Sequence, residues 1–97
     1  MAKGYWVSCY RAIKDVGALA EYAKIAGPAI ENDGGKFLAR GGRLEAFEAG
    51  VNERTVIVEF PSFEAALAAR NSDAYQSALK ALGDGAERDS RVTEGID

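Results

Sequence analysis

Histidine is absent from all 97 residues of this chain. It is the commonest metal ligand and the side chain whose charge changes nearest neutral pH. Its absence excludes a Ser-His or Cys-His nucleophile, a His-ligated haem and a facial-triad iron site. The single cysteine, Cys9, cannot form an internal disulfide, and we expect it to be a small buried hydrophobic side chain. The acidic residues also lack metal-ligand spacing, so we predict neither a metal site nor a cofactor.

Long apolar runs and a basic stripe are missing too. No segment reaches the roughly 18 apolar residues of a membrane span, and the first residues do not resemble a signal peptide. The net charge is −3, with lysines and arginines interleaved among acids, which disfavours nucleic acids and anionic membranes as partners. These features predict a cytoplasmic protein.

The composition that remains is typical of one globular domain over residues 1–97. The hydrophobic fraction of 47% is too high for a disordered chain. A chain of this length buries only roughly 60–65% of its unfolded surface. Apolar surface that one copy cannot bury would therefore be covered by self-association.

Residues 4–11 predict a first strand that is apolar on both sides. One side carries Tyr5, Val7 and Cys9, and the other carries Trp6, Ser8 and Tyr10. A strand covered on one face alternates more cleanly than this, so we expect both faces of the sheet to be covered. If a second copy of the chain covers the face without helices, Trp6 and Tyr10 are expected on that dimer side, where they line a cavity or pack the interface.

The remaining periodicities predict three further strands and two helices, the second of which is broken and recapped at residues 71–73. Asp15, Ser62 and Ser72 are suitable N-caps, and Gly27-Pro28 predicts a kink or a break in the first helix. The predicted strands cover residues 4–11, 36–49, 54–60 and 90–96, and the helices cover 15–32, 63–70 and 73–82. This order, β-α-β-β-α-β, is typical of the ferredoxin-like α+β fold, an antiparallel four-stranded sheet with its helices on one face.

Several short segments resemble one protein family. The most specific are Arg40-Gly41-Gly42 and Glu59-Phe60-Pro61-Ser62, and others are Lys3 to Trp6, Glu48 to Gly50, Tyr75-Gln76 and Glu94-Gly95. Together they resemble domain-of-unknown-function family 1330, small bacterial proteins with a ferredoxin-like, dimeric α+β barrel fold. The resemblance implies a homodimer that is assembled through its sheets. It implies no reaction.

Charged residues gather near the predicted central hairpin: Arg40, Glu45, Glu48, Arg54 and Glu59. They would orient an anionic or carbonyl-containing small molecule, because arginine binds carboxylates with two parallel hydrogen bonds. Alternatively, they form surface ion pairs worth ~0–1 kcal/mol each. Glu59 and Glu94 lie on apolar strand sides, where a carboxylate can accept a proton, unless each lies at a strand end in water.

A second group of candidates is Ser72, Tyr75 and Tyr22. Ser72 is expected to cap the last helix, and Tyr75 to lie in the core at the start of an apolar stripe. The hydroxyls of Tyr75 and Tyr22 could still point into a pocket between helices and sheet.

Two hypotheses for function follow. In the first, the protein binds a small molecule in a cleft between sheet and helices, and could be a cofactor-independent enzyme that uses Tyr and Glu for proton transfer. In the second, it is a non-enzymatic dimeric interaction or regulatory module. A pocket that holds Glu59 or Arg40 beside Tyr75 favours the first hypothesis, and a core packed without a cavity favours the second.

Overall fold

In a computed structural model, which describes residues 2–96, the chain forms one sheet of four strands with three helices. The elements are β1 (Gly4–Ile13), α1 (Val16–Asn32), β2 (Lys36–Arg40), β3 (Thr55–Phe60), α2 (Phe63–Arg70), α3 (Asp73–Leu82) and β4 (Ala86–Glu94). The strands pair antiparallel in the order β2-β3-β1-β4. The predicted ferredoxin-like α+β fold is confirmed.

The helix starts follow the sequence closely, because each depends on one side chain that accepts a nearby backbone N–H. Asp15 accepts from the N–H of Ala18 at 3.0 Å, and Ser62 and Ser72 cap α2 and α3 in the same way. Of the two alternatives predicted at Gly27-Pro28, a kink or a break, the break is wrong, since α1 is continuous from Val16 to Asn32. Pro28 is exposed, so water can hydrate the carbonyl that the missing N–H leaves unpaired.

The predicted long strand over residues 36–49 is also wrong. β2 ends at Arg40, and residues 41–54 form an exposed loop that rejoins the sheet at Thr55. Gly41 has a φ of 72°, a backbone conformation that turns the chain out of the sheet and that glycine adopts readily. β4 begins at Ala86 and not at residue 90, because it follows β1 across an irregularity after Tyr10.

The two sides of β1 meet different surroundings. Trp6, Ser8 and Tyr10 are buried beneath the helices, so the prediction that Trp6 and Tyr10 lie on the dimer side is wrong. The Trp6 ring lies edge-on to Tyr75, with 4.7 Å between ring centroids, at the centre of the core.

The opposite side of the sheet carries no helix. Its central residues are Tyr5, Val7, Cys9 and Ile57, which we call the helix-free face. Cys9 is exposed there, so the expectation of a buried thiol is wrong for the single chain. No helix within residues 2–96 has the length and apolar character needed to cross a membrane.

Candidate functional site

A cavity lies between α1 and the helix-covered side of the sheet. The space open to the centre of a water molecule is about 50 Å³, enough for a few waters or part of a small ligand. Apolar side chains form much of its wall, including Trp6, Ala26, Ile30, Phe37 and Val58. The polar lining side chains are Ser8, Tyr10, Tyr22, Arg40, Arg54 and Arg88. We call this space the arginine cavity.

The three arginines reach the arginine cavity from different parts of the sheet. Arg40 ends β2 opposite Val56, Arg54 immediately precedes β3, and Arg88 lies on β4 opposite Tyr10. None of the cavity-lining residues is an aspartate or glutamate. No ion pair found within residues 2–96 involves any of the three arginines. Three positive charges therefore converge without a neutralising carboxylate in the described chain.

Aromatic rings provide part of the compensation. The guanidinium carbon of Arg88 lies 4.9 Å from the ring centroid of Tyr22 and 5.5 Å from that of Tyr10. Arg54 lies 5.9 Å from the Tyr10 centroid, and Arg40 lies 4.3 Å from that of Phe37. The negative face of an aromatic ring attracts a cation, but it carries no full charge.

Arg54 is the least satisfied of the three. Its Nε is buried and has no hydrogen-bond partner among residues 2–96. A side chain at Gly41 would collide with the Arg54 guanidinium, so the glycine leaves the room that this group occupies. The loop therefore holds a cationic donor in place without supplying its acceptor.

A chain of hydroxyl groups extends from the cavity into the core. Arg88 Nη1 donates to the Tyr22 hydroxyl at 3.0 Å, and the hydroxyls of Tyr22 and Tyr75 lie 2.7 Å apart. Burial raises the pKa of Tyr22, and Tyr75 raises it further, against a smaller lowering by Arg88. Tyr22 is therefore a protonated phenol at neutral pH. Burial acts to lower the pKa of Arg88, but its interactions with Tyr22 and Tyr75 outweigh this and raise it.

The sequence-predicted candidates are brought together only in part. Tyr22, Arg40 and Arg54 line the arginine cavity, whereas Tyr75 lies behind Tyr22 and does not line it. Ser72 caps α3. A strand alternates its side chains between faces, so Glu59 lies on the opposite side of the sheet from the cavity. There its carboxylate lies 3.5 Å from the Lys3 ammonium.

The other acids are also outside the cavity. Glu45 and Glu48 are exposed in the loop that follows β2, and Glu94 is exposed at the end of β4. Arg88 was missed by the sequence analysis, because the last strand was expected to begin only at residue 90. Its spacing of four residues from Val92 was the available signal, since it places both side chains on one strand face. No group of three or more cysteine or acidic side chains within the described chain could hold a metal ion.

Comparisons with known proteins agree with this fold. The family model of a domain of unknown function (DUF1330) matches residues 3–96. A solved protein of unknown function from Rhodopseudomonas palustris has a TM-score of 0.71 and 24% identity, with 96% of this chain and 80% of that chain covered. A comparison with curated proteins gives no match.

More distant solved structures share the fold alone. A protein from Caulobacter crescentus, provisionally named as an antibiotic biosynthesis monooxygenase, has a TM-score of 0.60 and 13% identity, covering 99% of this chain and 91% of its own. A protein from Thermobifida fusca, described as dimeric, ferredoxin-like and of unknown function, has a TM-score of 0.56 and 12% identity, covering 98% and 92%.

Proposed function

We propose that this chain, which belongs to the DUF1330 family of domains of unknown function, binds a small organic anion in the arginine cavity. The observation that carries the proposal is that Arg40, Arg54 and Arg88 line one cavity whose lining contains no acid. Guanidinium groups bind carboxylates with paired, charge-assisted hydrogen bonds.

The wall around the arginines favours an organic anion over an inorganic one. Trp6, Phe37 and Val58 present apolar surface to the cavity, and a bare inorganic anion would gain nothing from contact with it. The Arg54 guanidinium adds a second argument, because it takes part in no ion pair among residues 2–96. A carboxylate bound beside it would neutralise this charge.

Binding, and not proton abstraction, is the activity that the site supports. The lining of the cavity offers no carboxylate as a base, and Glu59 lies on the other side of the sheet. The pKa of Tyr22 is raised by burial, which makes its phenol a hydrogen-bond donor at neutral pH. The hypothesis of an enzyme that uses Tyr and Glu for proton transfer therefore gains no support.

We further propose that the protein is a homodimer, with a second copy covering the helix-free face. The chain is a flat layer with extents of 38 × 34 × 17 Å. It exposes 6141 Å², whereas a monomer of its mass is expected to expose about 5,400 Å². The excess of roughly 700 Å² is close to the area that each partner buries in a standard interface. The dimeric Thermobifida fusca neighbour supports the same assembly.

A second copy would also cover the half-buried apolar residues on this face. Val7 and Ile57 lie directly opposite each other at its centre, beside the exposed Cys9. We place the dimer in the cytoplasm, where reducing conditions keep such a thiol free.

The binding proposal is tested by calorimetric titration with acetate and propionate at low salt, with acetamide and propionamide as uncharged matches. We expect only the carboxylates to bind and to raise the melting temperature. At 100 times its dissociation constant a ligand adds about 2.7 kcal/mol of stability. Arg88→Met should abolish the effect, whereas the loop variant Arg43→Met should retain it. The proposal would be refuted if the amides raised the melting temperature as much as the carboxylates, or if no compound raised it.

A further inference from the structure

The hydrogen-bond pattern of Tyr22 and Tyr75 restricts what the arginine cavity can accept. Tyr75 is only 1% exposed and does not line the cavity. Within residues 2–96, the one hydrogen-bond partner of its hydroxyl is the hydroxyl of Tyr22. The direction of that bond therefore decides which of the two phenol hydrogens stays free.

Two arrangements are available, and their free energies differ. If Tyr22 donated to Tyr75, the hydrogen of Tyr75 would be buried without an acceptor, at a cost of about 1–3 kcal/mol. If Tyr75 donates, its own hydrogen is satisfied, and the hydrogen without an acceptor is that of Tyr22, which lines the cavity. Tyr22 then accepts from both Tyr75 and Arg88, which uses both lone pairs of its oxygen.

The second arrangement leaves the O–H hydrogen of Tyr22 without an acceptor in the described chain, at the wall of the cavity. The guanidinium groups of Arg40, Arg54 and Arg88 supply only donors to the same space. Ser8 and Tyr10 supply the other hydroxyls of the lining, each able to donate or accept, and the Ser8 oxygen is paired with that of Ser90 at 3.3 Å. The polar wall therefore offers more donors than acceptors, and its acceptors are the hydroxyl oxygens of Ser8 and Tyr10.

We infer that the ligand is a small 2-oxo carboxylate, with its carboxylate on the arginines and its carbonyl oxygen accepting from the Tyr22 hydroxyl. This inference rests on the proposed function and names its ligand class. A 2-oxo acid offers only acceptors from its polar end. A 2-hydroxy or 2-amino acid brings a donor to the position that faces the Tyr22 hydrogen and the arginines, and a donor left unpaired there lowers affinity.

The test is a calorimetric titration of the full chain with pyruvate, lactate, alanine and propionate as probes. We expect pyruvate to bind roughly threefold to tenfold more tightly than propionate, the range of one neutral hydrogen bond. Lactate and alanine should bind more weakly than pyruvate. Tyr22→Phe should remove the preference for pyruvate over propionate while both still bind.

Tyr75→Phe is the matched control, because it deletes the other hydroxyl of the same pair. We expect it to keep the preference for pyruvate, since the free hydrogen belongs to Tyr22. A measurement on the unaltered protein covers the case in which Tyr22→Phe does not fold. Pyruvate should shift the tyrosine absorbance to longer wavelength, as a phenol does when it becomes a donor, and propionate should not.

The outcomes separate this inference from the proposed function. Equal affinity for pyruvate and propionate, or a preference that survives Tyr22→Phe, overturns the 2-oxo assignment and leaves carboxylate binding intact. A preference that is lost in Tyr75→Phe also overturns it, because the free donor would then be misassigned. If none of the four probes binds, both the assignment and the proposed function fail.

Discussion

Arg54 should make the unliganded protein less stable than it would be without this charge. Its Nε is buried without a partner, and its guanidinium shares a cavity with those of Arg40 and Arg88. Arg54→Met keeps a long apolar side chain of similar reach and removes both the charge and the orphaned donor. We therefore expect this variant to be more stable than the natural protein when no ligand is present.

The magnitude follows from two opposing contributions. Removing a buried unpaired donor gains about 1–3 kcal/mol. Losing the stacking of Arg54 on Tyr10, whose ring centroid is 5.9 Å away, costs about 0.5–1 kcal/mol. The net gain is then about 1 kcal/mol, which raises the melting temperature by roughly 4–8 °C in a domain of this size.

Urea unfolding followed by Trp6 fluorescence measures this difference. Protein concentration is held constant, because dimerisation makes apparent stability depend on it. Arg43→Met is the control, since Arg43 is exposed in the loop after β2 and does not line the arginine cavity. A loss of 1 kcal/mol or more in Arg54→Met alone would show that Arg54 stabilises the fold, and would refute the reasoning. The stabilised variant should also lose carboxylate binding.

Three further predictions concern the dimer, the tyrosine pair and the loop. Val7→Glu on the helix-free face should halve the mass measured by light scattering, whereas Ile25→Glu on the exposed side of α1 should leave it unchanged. Because the pKa of Tyr22 is raised, the unfolded chain loses this proton first as pH rises. The free energy of unfolding should therefore fall above about pH 10 by up to ~1.4 kcal/mol per pH unit, and Tyr22→Phe should remove that part of the slope. The titratable or charged groups that contact the Tyr22 hydroxyl are Tyr75 from α3 and Arg88 from β4. The measurement compares unfolding at alkaline pH in the natural protein and in Tyr22→Phe. Gly41→Ala places a methyl group against the Arg54 guanidinium at a φ of 72°, so we expect the free energy of unfolding to fall by at least ~1 kcal/mol and carboxylate binding to weaken. Gly42→Ala, which has open space around it, should change neither quantity. Equal effects of the two variants in urea unfolding would contradict this account.

Local patterns predicted most of the fold, because the interactions that start and stop each element lie within a few residues of one another. Asp15, Ser62 and Ser72 cap their helices through N–H groups three residues later. The alternation of Val56, Val58 and Phe60 placed these side chains together beneath the helices. The sequence also indicated Tyr22, Arg40 and Arg54 as candidate binding residues, although it grouped them with acids that lie elsewhere.

What the sequence determined by itself was therefore the order and type of the elements, and an excess of apolar surface on β1. It could not determine which side of β1 the helices would cover, since both sides are apolar. Only the tertiary structure brought Arg88 to the other two arginines, because that meeting depends on strand order and register across β1. Local alternation already put Glu59 on the opposite strand face from Val58, but only the tertiary structure showed that the arginine cavity lies on the Val58 side, where no acid lines it. Pairing between strands distant in sequence is a property of the whole sheet, and no local pattern contains it.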